Sequence, residues 1–238
     1  MLLQTITNYY TELGYKYIIG PLNGSTWNAY RFATEDITDS FFSEQFHKSY
    51  YAKQFKDFGF QIAAQYKTQI DTVLNIPFVK MLNNQITFRT LDMANYEVEM
   101  KRYFTFCKSA FCQNFLYTEI SEAQFLAKYM PLKKVLNSEF VLIAEHEGNM
   151  VGLMLALHDF YCKHEKRLIV KTIARNSSMQ YVGVAHELTS RMIKIAKEHN
   201  YQSMLHAFMH QSNASRNMSK KYSGNPFRNY QLFYKALW

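Results

Sequence analysis

Glycine and proline are scarce in this 238-residue chain, with 8 and 4 copies. That scarcity excludes collagen-like, linker-like and low-complexity architectures. Cysteine is scarcer still, at Cys107, Cys112 and Cys162. The count is odd, no C-x-x-C pair occurs, and Cys107 and Cys112 have no histidine at zinc-ligand spacing. Neither a disulfide scaffold nor a metal site is therefore expected, and the thiols read as reduced and mostly buried. No apolar run approaches the roughly 20 residues of a membrane span. The first ten residues lack the charged region and apolar core of a signal peptide. The expectation is a soluble, cytoplasmic protein with no membrane partner.

Acidic residues are also in deficit: 19 Asp and Glu stand against 27 Lys and Arg, a formal charge of +8 with a pI of about 9.2. Such a balance favours anionic partners, whether a phosphorylated cofactor, nucleic acid or an acidic surface. No basic run exceeds two residues (Lys133-Lys134, Lys166-Arg167, Lys220-Lys221). The scatter argues against a dedicated nucleic-acid groove, which concentrates its cations in one stripe. What the chain has in quantity is core material. It is 48% hydrophobic, with 18 Tyr and 19 Phe, enough for one large domain or two small ones.

Along the chain, residues 2–13 read as a helix ended by Gly14, and 15–19 as a strand stopped by Gly20-Pro21. Turn residues 23–26 would open a short helical piece at 27–31. Residues 43–58 read as a helix and 60–66 as a strand, with a connector at 67–84 that is helical to about Leu74. A new unit opens with an alternating strand at 85–92. Helices follow at 93–117 and 121–129, the second capped by Ser121. Then come a hairpin (139–145 and 150–158, turning at Glu147-Gly148-Asn149) and a strand at 168–174. A helix at 184–198, a strand at 201–209, a short basic helix at 213–222 and a strand at 230–237 complete the order. The segment from Glu12 to Tyr66 echoes the end of the chain. A Glu-x-x-Tyr turn into a strand occurs at 12–15 and 198–201. A polar turn comes after each, at 25–28 and 211–214, and each copy then has a Gly (Gly59, Gly224) and a strand. This is the pattern of a decayed structural repeat, or of chance similarity between two α/β segments.

The most specific stretch is Gln180-Tyr181-Val182-Gly183-Val184-Ala185, between an apolar strand and a helix start. Unpaired N–H groups and the positive end of the helix dipole suit an anion there, such as a pyrophosphate. Gly183 permits close backbone approach, and Ala185 keeps the first turn open. An ordinary strand-to-helix turn has the same outline.

Gln180-x-x-Gly183-x-Ala185 in this slot, with strand, two helices, hairpin, strand, loop, helix, strand, helix, strand from residue 85 onward, resembles the GNAT superfamily of acyl-CoA-dependent N-acyltransferases. The Glu-Gly-Asn-x-Val-Gly hairpin, the 170–174 strand and Asn213 resemble the family as well. The resemblance covers roughly 150 residues and implies an α/β (α+β) fold, with a mainly antiparallel mixed sheet flanked by helices. It divides the chain into a partial, degenerate GNAT-like unit at 1–80 and a complete one at 85–238. The partial unit has no pyrophosphate loop. It is expected to pack on the complete one and shape the acceptor site.

The resemblance implies transfer of an acyl group from acetyl-CoA or another acyl-CoA to an amine, whose identity the sequence leaves open. Backbone N–H groups of Gln180, Tyr181, Val182, Gly183, Val184 and Ala185 would hold the pyrophosphate. Ile173, Ala174 and Arg175 would pair with the pantetheine arm, and the N–H near Ile173 would polarise the thioester carbonyl. Asn213 would bond that arm or cap its helix. Arg175, Arg216 and Lys220 would contact phosphates or stay solvated. The family's tyrosine, about seven residues after the Asn, is replaced here by Lys220. Tyr222, the nearest tyrosine, is then the candidate acid, with a packing role as the other option. No carboxylate lies within 168–174, so His158 and Asp159 at the hairpin's end are the candidate base or a solvated loop pair. Glu145 and His146 are weaker candidates still. A transferase using aminoacyl-tRNA, an inactive CoA-binding scaffold and a homodimer all remain open.

Overall fold

A computed structural model describes residues 1–76, 81–212, 222 and 224–238. Helix α1 (Leu2–Glu12) leads into β1 (Tyr17–Gly20) and β2 (Phe32–Ala33). Next come α2 (Tyr50–Asp57), β3 (Gln61–Asp71) and β4 (Thr87–Thr90). Helices α3 (Tyr96–Phe111) and α4 (Glu122–Tyr129) precede the hairpin β5 (Val141–His146) and β6 (Asn149–His158). The chain finishes with β7 (Arg167–Arg175), α5 (Val184–Glu198), β8 (Ser203–His210) and β9 (Asn225–Ala236).

The local signals explain most of these elements. The Ser121 side chain accepts from Gln124 N–H while the Gln124 side chain answers Ser121 N–H, a complete capping box at the start of α4. Glu147 and Gly148 both take positive φ, at 50° and 74°, the geometry of the two-residue turn that matches strand twist in a hairpin. Helix α5 begins on Gly183 at φ 98°, a left-handed conformation that glycine alone adopts at no cost.

One sheet runs through the molecule in the order β1-β9-β3-β8-β7-β6-β5-β4, with β2 also pairing β9. All pairings are antiparallel except β7 with β8. Strand alternation gives the sheet two apolar faces. Leu142, Met154, Leu168 and Met204 pack under α5, whose Val184, Leu188, Met192 and Ile193 are fully buried. Val141, Ile143, Leu153 and Leu155 pack under α3 and α4 with Tyr103 and Phe125. Each such buried aliphatic side chain contributes roughly 1.5–3 kcal/mol.

Three segments differ from the sequence-based expectation. Residues 43–49 are not helical, and α2 starts only at Tyr50. Phe41 is fully buried and the Glu44 carboxylate is held by Arg228 and Tyr230, so tertiary contacts override helix propensity there. Residues 27–31 form turns and a bridge rather than a helical piece. Strand β3 continues to Asp71, through the stretch expected to turn helical, because it is sandwiched between β8 and β9 with Thr68 and Asp71 fully buried. The basic helix expected at 213–222 falls outside the described residues, Tyr222 excepted.

The two repeat-like segments occupy equivalent places. Strands β3 and β9 run antiparallel side by side, Tyr66 facing Tyr230, with β8 beyond one and β1 beyond the other. Their burial patterns match over the first ten residues of each.

Candidate active site

Strands β7 and β8 pair only from Arg167/Ser203 to Val170/His206, although both continue further. Two irregularities part them. On the β6 side, Thr172 and Val170 oppose Leu155 and Ala156, leaving Lys171 as a bulge. On β8, Phe208 takes φ 58°, where β3 also shifts register. Beyond the split, Asn176 N–H donates to Val151 on β6. Backbone groups alternate sides along a strand, so those of Ile173 and Arg175 face away from β6, into the cleft.

The cleft opens into a cavity of about 630 Å³. Residues 170–173 and 206–210 form its floor, Thr189 of α5 lines one end, and residues 26–31 and 43–47 of the N-terminal half close over it together with residues 111–117. That N-terminal strap is clamped down by charge. Arg167, almost fully buried, donates from Nε to Asp159 at 2.8 Å and from both terminal nitrogens to Asp39 at 2.9 and 3.2 Å. Asp159 also accepts from the N–H groups of Phe42 and Tyr161. Arg228 holds Glu44 and the Asp39 carbonyl.

Electrostatically the cavity is one-sided. Arg31, Lys128 and Lys171 line it, and among the described residues no Asp or Glu does. The Lys171 side chain is exposed, with its ammonium 3.5 Å from Ser43 Oγ, yet the walls crowd it. That desolvation, with the like charges of Arg31 and Lys128, pushes its ammonium down to about 8. His206 stands at the last paired position, where burial lowers it to about 4 against the opposing charge of Asp71. Its Nε2 is buried without a hydrogen-bond partner among the described residues. Burial likewise lowers His210 and His47.

The loop residues singled out in the sequence lie between β7 and the first turn of α5, and none of them lines the cavity. Gln180 is exposed, while Tyr181 is buried and its hydroxyl meets His146 Nδ1 at 3.1 Å. Val182 and Gly183 are half-buried, Val184 is fully buried, and Ala185 is half-buried in the first turn. Arg175 donates to the carbonyls of Asn176 and Ser178, so it braces the loop. Ile173 and Ala174 pair with Met154 and Leu153. Gly152 lets α5 approach, since a Cβ there would lie 2.5 Å from Val184 Cγ1. Asn213, Arg216 and Lys220 lie outside the described residues.

The two catalytic candidates are not brought to the cavity. Asp159 is fully buried with its carboxylate committed to Arg167, Phe42 and Tyr161. Tyr222, also fully buried, donates to the His186 carbonyl at 3.1 Å and stacks on the His186 ring. Glu145 is held by Arg89 and Arg102. The residues that do converge, Lys171, His206 and Arg31, were not among the sequence candidates. The only sequence signal for Lys171 is a lone cation in an apolar strand. Away from the cavity, ligand-type atoms of Cys162, His164 and Glu165 lie within 4.8 Å of one another, with Glu165 bonded to Ser203.

Residues 104–224, more than half of the chain, match the model of the acetyltransferase (GNAT) family. The chain belongs to that family. A GCN5-related N-acetyltransferase from Sphaerobacter thermophilus shares the fold at TM-score 0.60 and 12% identity, over 80% of this chain and 57% of its own. A GCN5-related glucosamine N-acetyltransferase region of a fungal multi-domain β-N-acetylglucosaminidase aligns at 0.56 and 10%, over 81% of this chain and 23% of its own. A tandem GNAT protein from the clavulanic acid biosynthesis pathway aligns over 100% of this chain and 69% of its own, at 0.53 and 7%. This chain thus spans little more than half of the first relative and under a quarter of the second. No curated protein sequence matches it. Among the described residues, no helix is long and apolar enough to cross a membrane.

Proposed function

We propose that this GNAT protein transfers an acyl group, with acetyl as the simplest case, from acyl-CoA to an amine bound in the 630 Å³ cavity. The observation that carries the reading is the split between β7 and β8, which opens a cavity lined in part by Thr189 of α5, the helix that starts on Gly183. The helix start offers N–H donors and a positive dipole end to the pyrophosphate. Backbone groups of Ile173 and Arg175 pair with the pantetheine amides, and the Ile173 N–H polarises the thioester carbonyl. Asn213 and Arg216 are further contacts to the cofactor in this reading. Residues 1–80 act as the partial unit that roofs the acceptor site.

Lys171 takes the role expected of a carboxylate. Its neutral form accepts the proton of the attacking amine as the new N–C bond forms and the C–S bond breaks. His206, neutral at physiological pH, offers an imidazole N–H to the departing thiolate. Tyr222 and Asp159 serve structure here, the first under α5 and the second in the strap clamp.

Titration calorimetry with acetyl-CoA tests the assignment of the loop. Gly183→Glu puts a bulky anion at a left-handed position beside the pyrophosphate, and like-charge juxtaposition costs several kcal/mol, more than a hundredfold in affinity. Equal binding by wild type and a folded Gly183→Glu variant would remove the loop from the cofactor site. Binding of acetyl-CoA without turnover across a broad amine panel would identify a scaffold instead of an enzyme.

A further inference from the structure

Arg31 is the group in the cavity that the catalytic reading does not use. Its guanidinium lies 3.8 Å from the Phe208 ring centroid and 4.2 Å from that of Tyr30, with Tyr66 and Tyr230 at 5.1 and 5.8 Å. Its Nη1 is shut off from protein surface and has no hydrogen-bond partner among the described residues. Three other guanidiniums are paired with carboxylates: Arg167 with Asp39 and Asp159, Arg228 with Glu44, Arg89 with Glu99 and Glu145. Arg31 has aromatic faces in their place, which steady the charge and leave its directional donors unused.

The backbone around it is strained in the same place. Of the seven non-glycine residues at positive φ among the described residues, Arg31 (69°), Ser43 (74°) and Phe208 (58°) line this cavity. Left-handed conformations at such residues persist only where the surroundings enforce them, and they gather at ligand sites. Lys128 enters the cavity from α4, with its ammonium against the Asn28 side-chain oxygen and two further donors to spare. Three cations and no lining carboxylate repel a polycationic acceptor and attract one carrying negative charge.

We propose that the acceptor amine carries an anionic group, a carboxylate or a phosphate, held by Arg31 and Lys128 while its amino group faces Lys171. The assignment rests on the acyl-CoA reading above and adds the acceptor's chemical class. Arg31 and Lys128 are specificity residues in it, each supplying charge-assisted hydrogen bonds to the anion.

Matched pairs of amines test it: phenylalanine against phenylalaninamide, and glucosamine 6-phosphate against glucosamine, each with acetyl-CoA. The anionic member of at least one pair is expected to lead in kcat/KM by roughly tenfold to a hundredfold. Which pair responds tells carboxylate from phosphate. Arg31→Gln and Lys128→Gln should each erode the ratio, mainly through KM. A neutral member that leads in both pairs overturns the proposal, and so does a ratio untouched by both variants. Lys128 lies exposed on α4, so its variant carries the test if Arg31→Gln does not fold.

Product analogues separate this inference from the acyl-CoA reading. N-acetylphenylalanine against its amide, and N-acetylglucosamine 6-phosphate against N-acetylglucosamine, are titrated by NMR without cofactor. If an anionic analogue binds and loses affinity in Lys128→Gln while acetyl-CoA does not bind, the acyl-CoA reading fails and the anion site stands. If acetyl-CoA binds and neither anionic analogue is preferred, the anion site alone is lost.

Discussion

Strands β1 and β8 hold equivalent places about the β3/β9 pair, yet only β8 makes a cleft. Beyond β8 lies the parallel strand β7, and the two separate after Val170 and His206. Beyond β1 the sheet ends. A cleft of this kind needs two strands that first pair and then part, and β1, at the edge of the sheet, has no second neighbour to part from. After β1 the chain runs instead into the strap at 26–47, which roofs the cavity of the other half and supplies Arg31 to it. In the proposed reading the cofactor is held by backbone groups of β7 and the α5 start, and acceptor choice falls to side chains of the strap and α4.

That contrast can be broken at four points. On β7, Lys171→Met is expected to lower kcat by about 10²–10⁴, the usual contribution of a positioned base. Acetyl-CoA affinity should hold, and calorimetry beside steady-state assays would show whether the two separate. In the clamp, Asp159→Ala leaves Arg167 buried with one partner fewer. A loss of about 3–5 kcal/mol is expected in denaturant unfolding. A catalytic Asp159 would instead cost rate while leaving stability intact, so the two measurements decide its role.

At the loop, Gly152→Ala forces its new Cβ against Val184 Cγ1 and Ala144 Cβ. Overpacking of this kind costs about 1–3 kcal/mol. Because Val184 opens α5, acetyl-CoA binding should weaken more than the interaction with the product analogues. The smallest effect is on pH dependence. Lys171 acts when neutral, so kcat/KM should rise through a midpoint near 8, where like charges and desolvation hold its ammonium. Arg31→Gln removes one of those like charges, which raises the Lys171 pKa and moves the midpoint to higher pH. A midpoint that stays put or falls would separate Arg31 from the base.

Helix α5 is legible to the residue, 184–198, from its apolar face and its glycine start. The hairpin and the capping box at Ser121 are equally local. Residues 43–49 read as helical because nothing in their own sequence reports that the neighbouring Phe41 is buried or that Arg228, nearly two hundred residues away, takes Glu44. Asp159 stands out as a polar residue at a strand end, which is also where an ion-pair clamp belongs.

The sequence by itself determined most of the elements, the glycine-capped loop and the family pattern. Each depends on residues within a turn or two of one another, where propensity, capping and periodicity act. The tertiary structure alone decided which side chains share the cavity. Lys171, His206 and Arg31 come from three distant segments, joined by a bulge, a parallel strand pairing and a clamped strap. Their chemistry follows from shared burial, and burial is set by the packing of the whole chain.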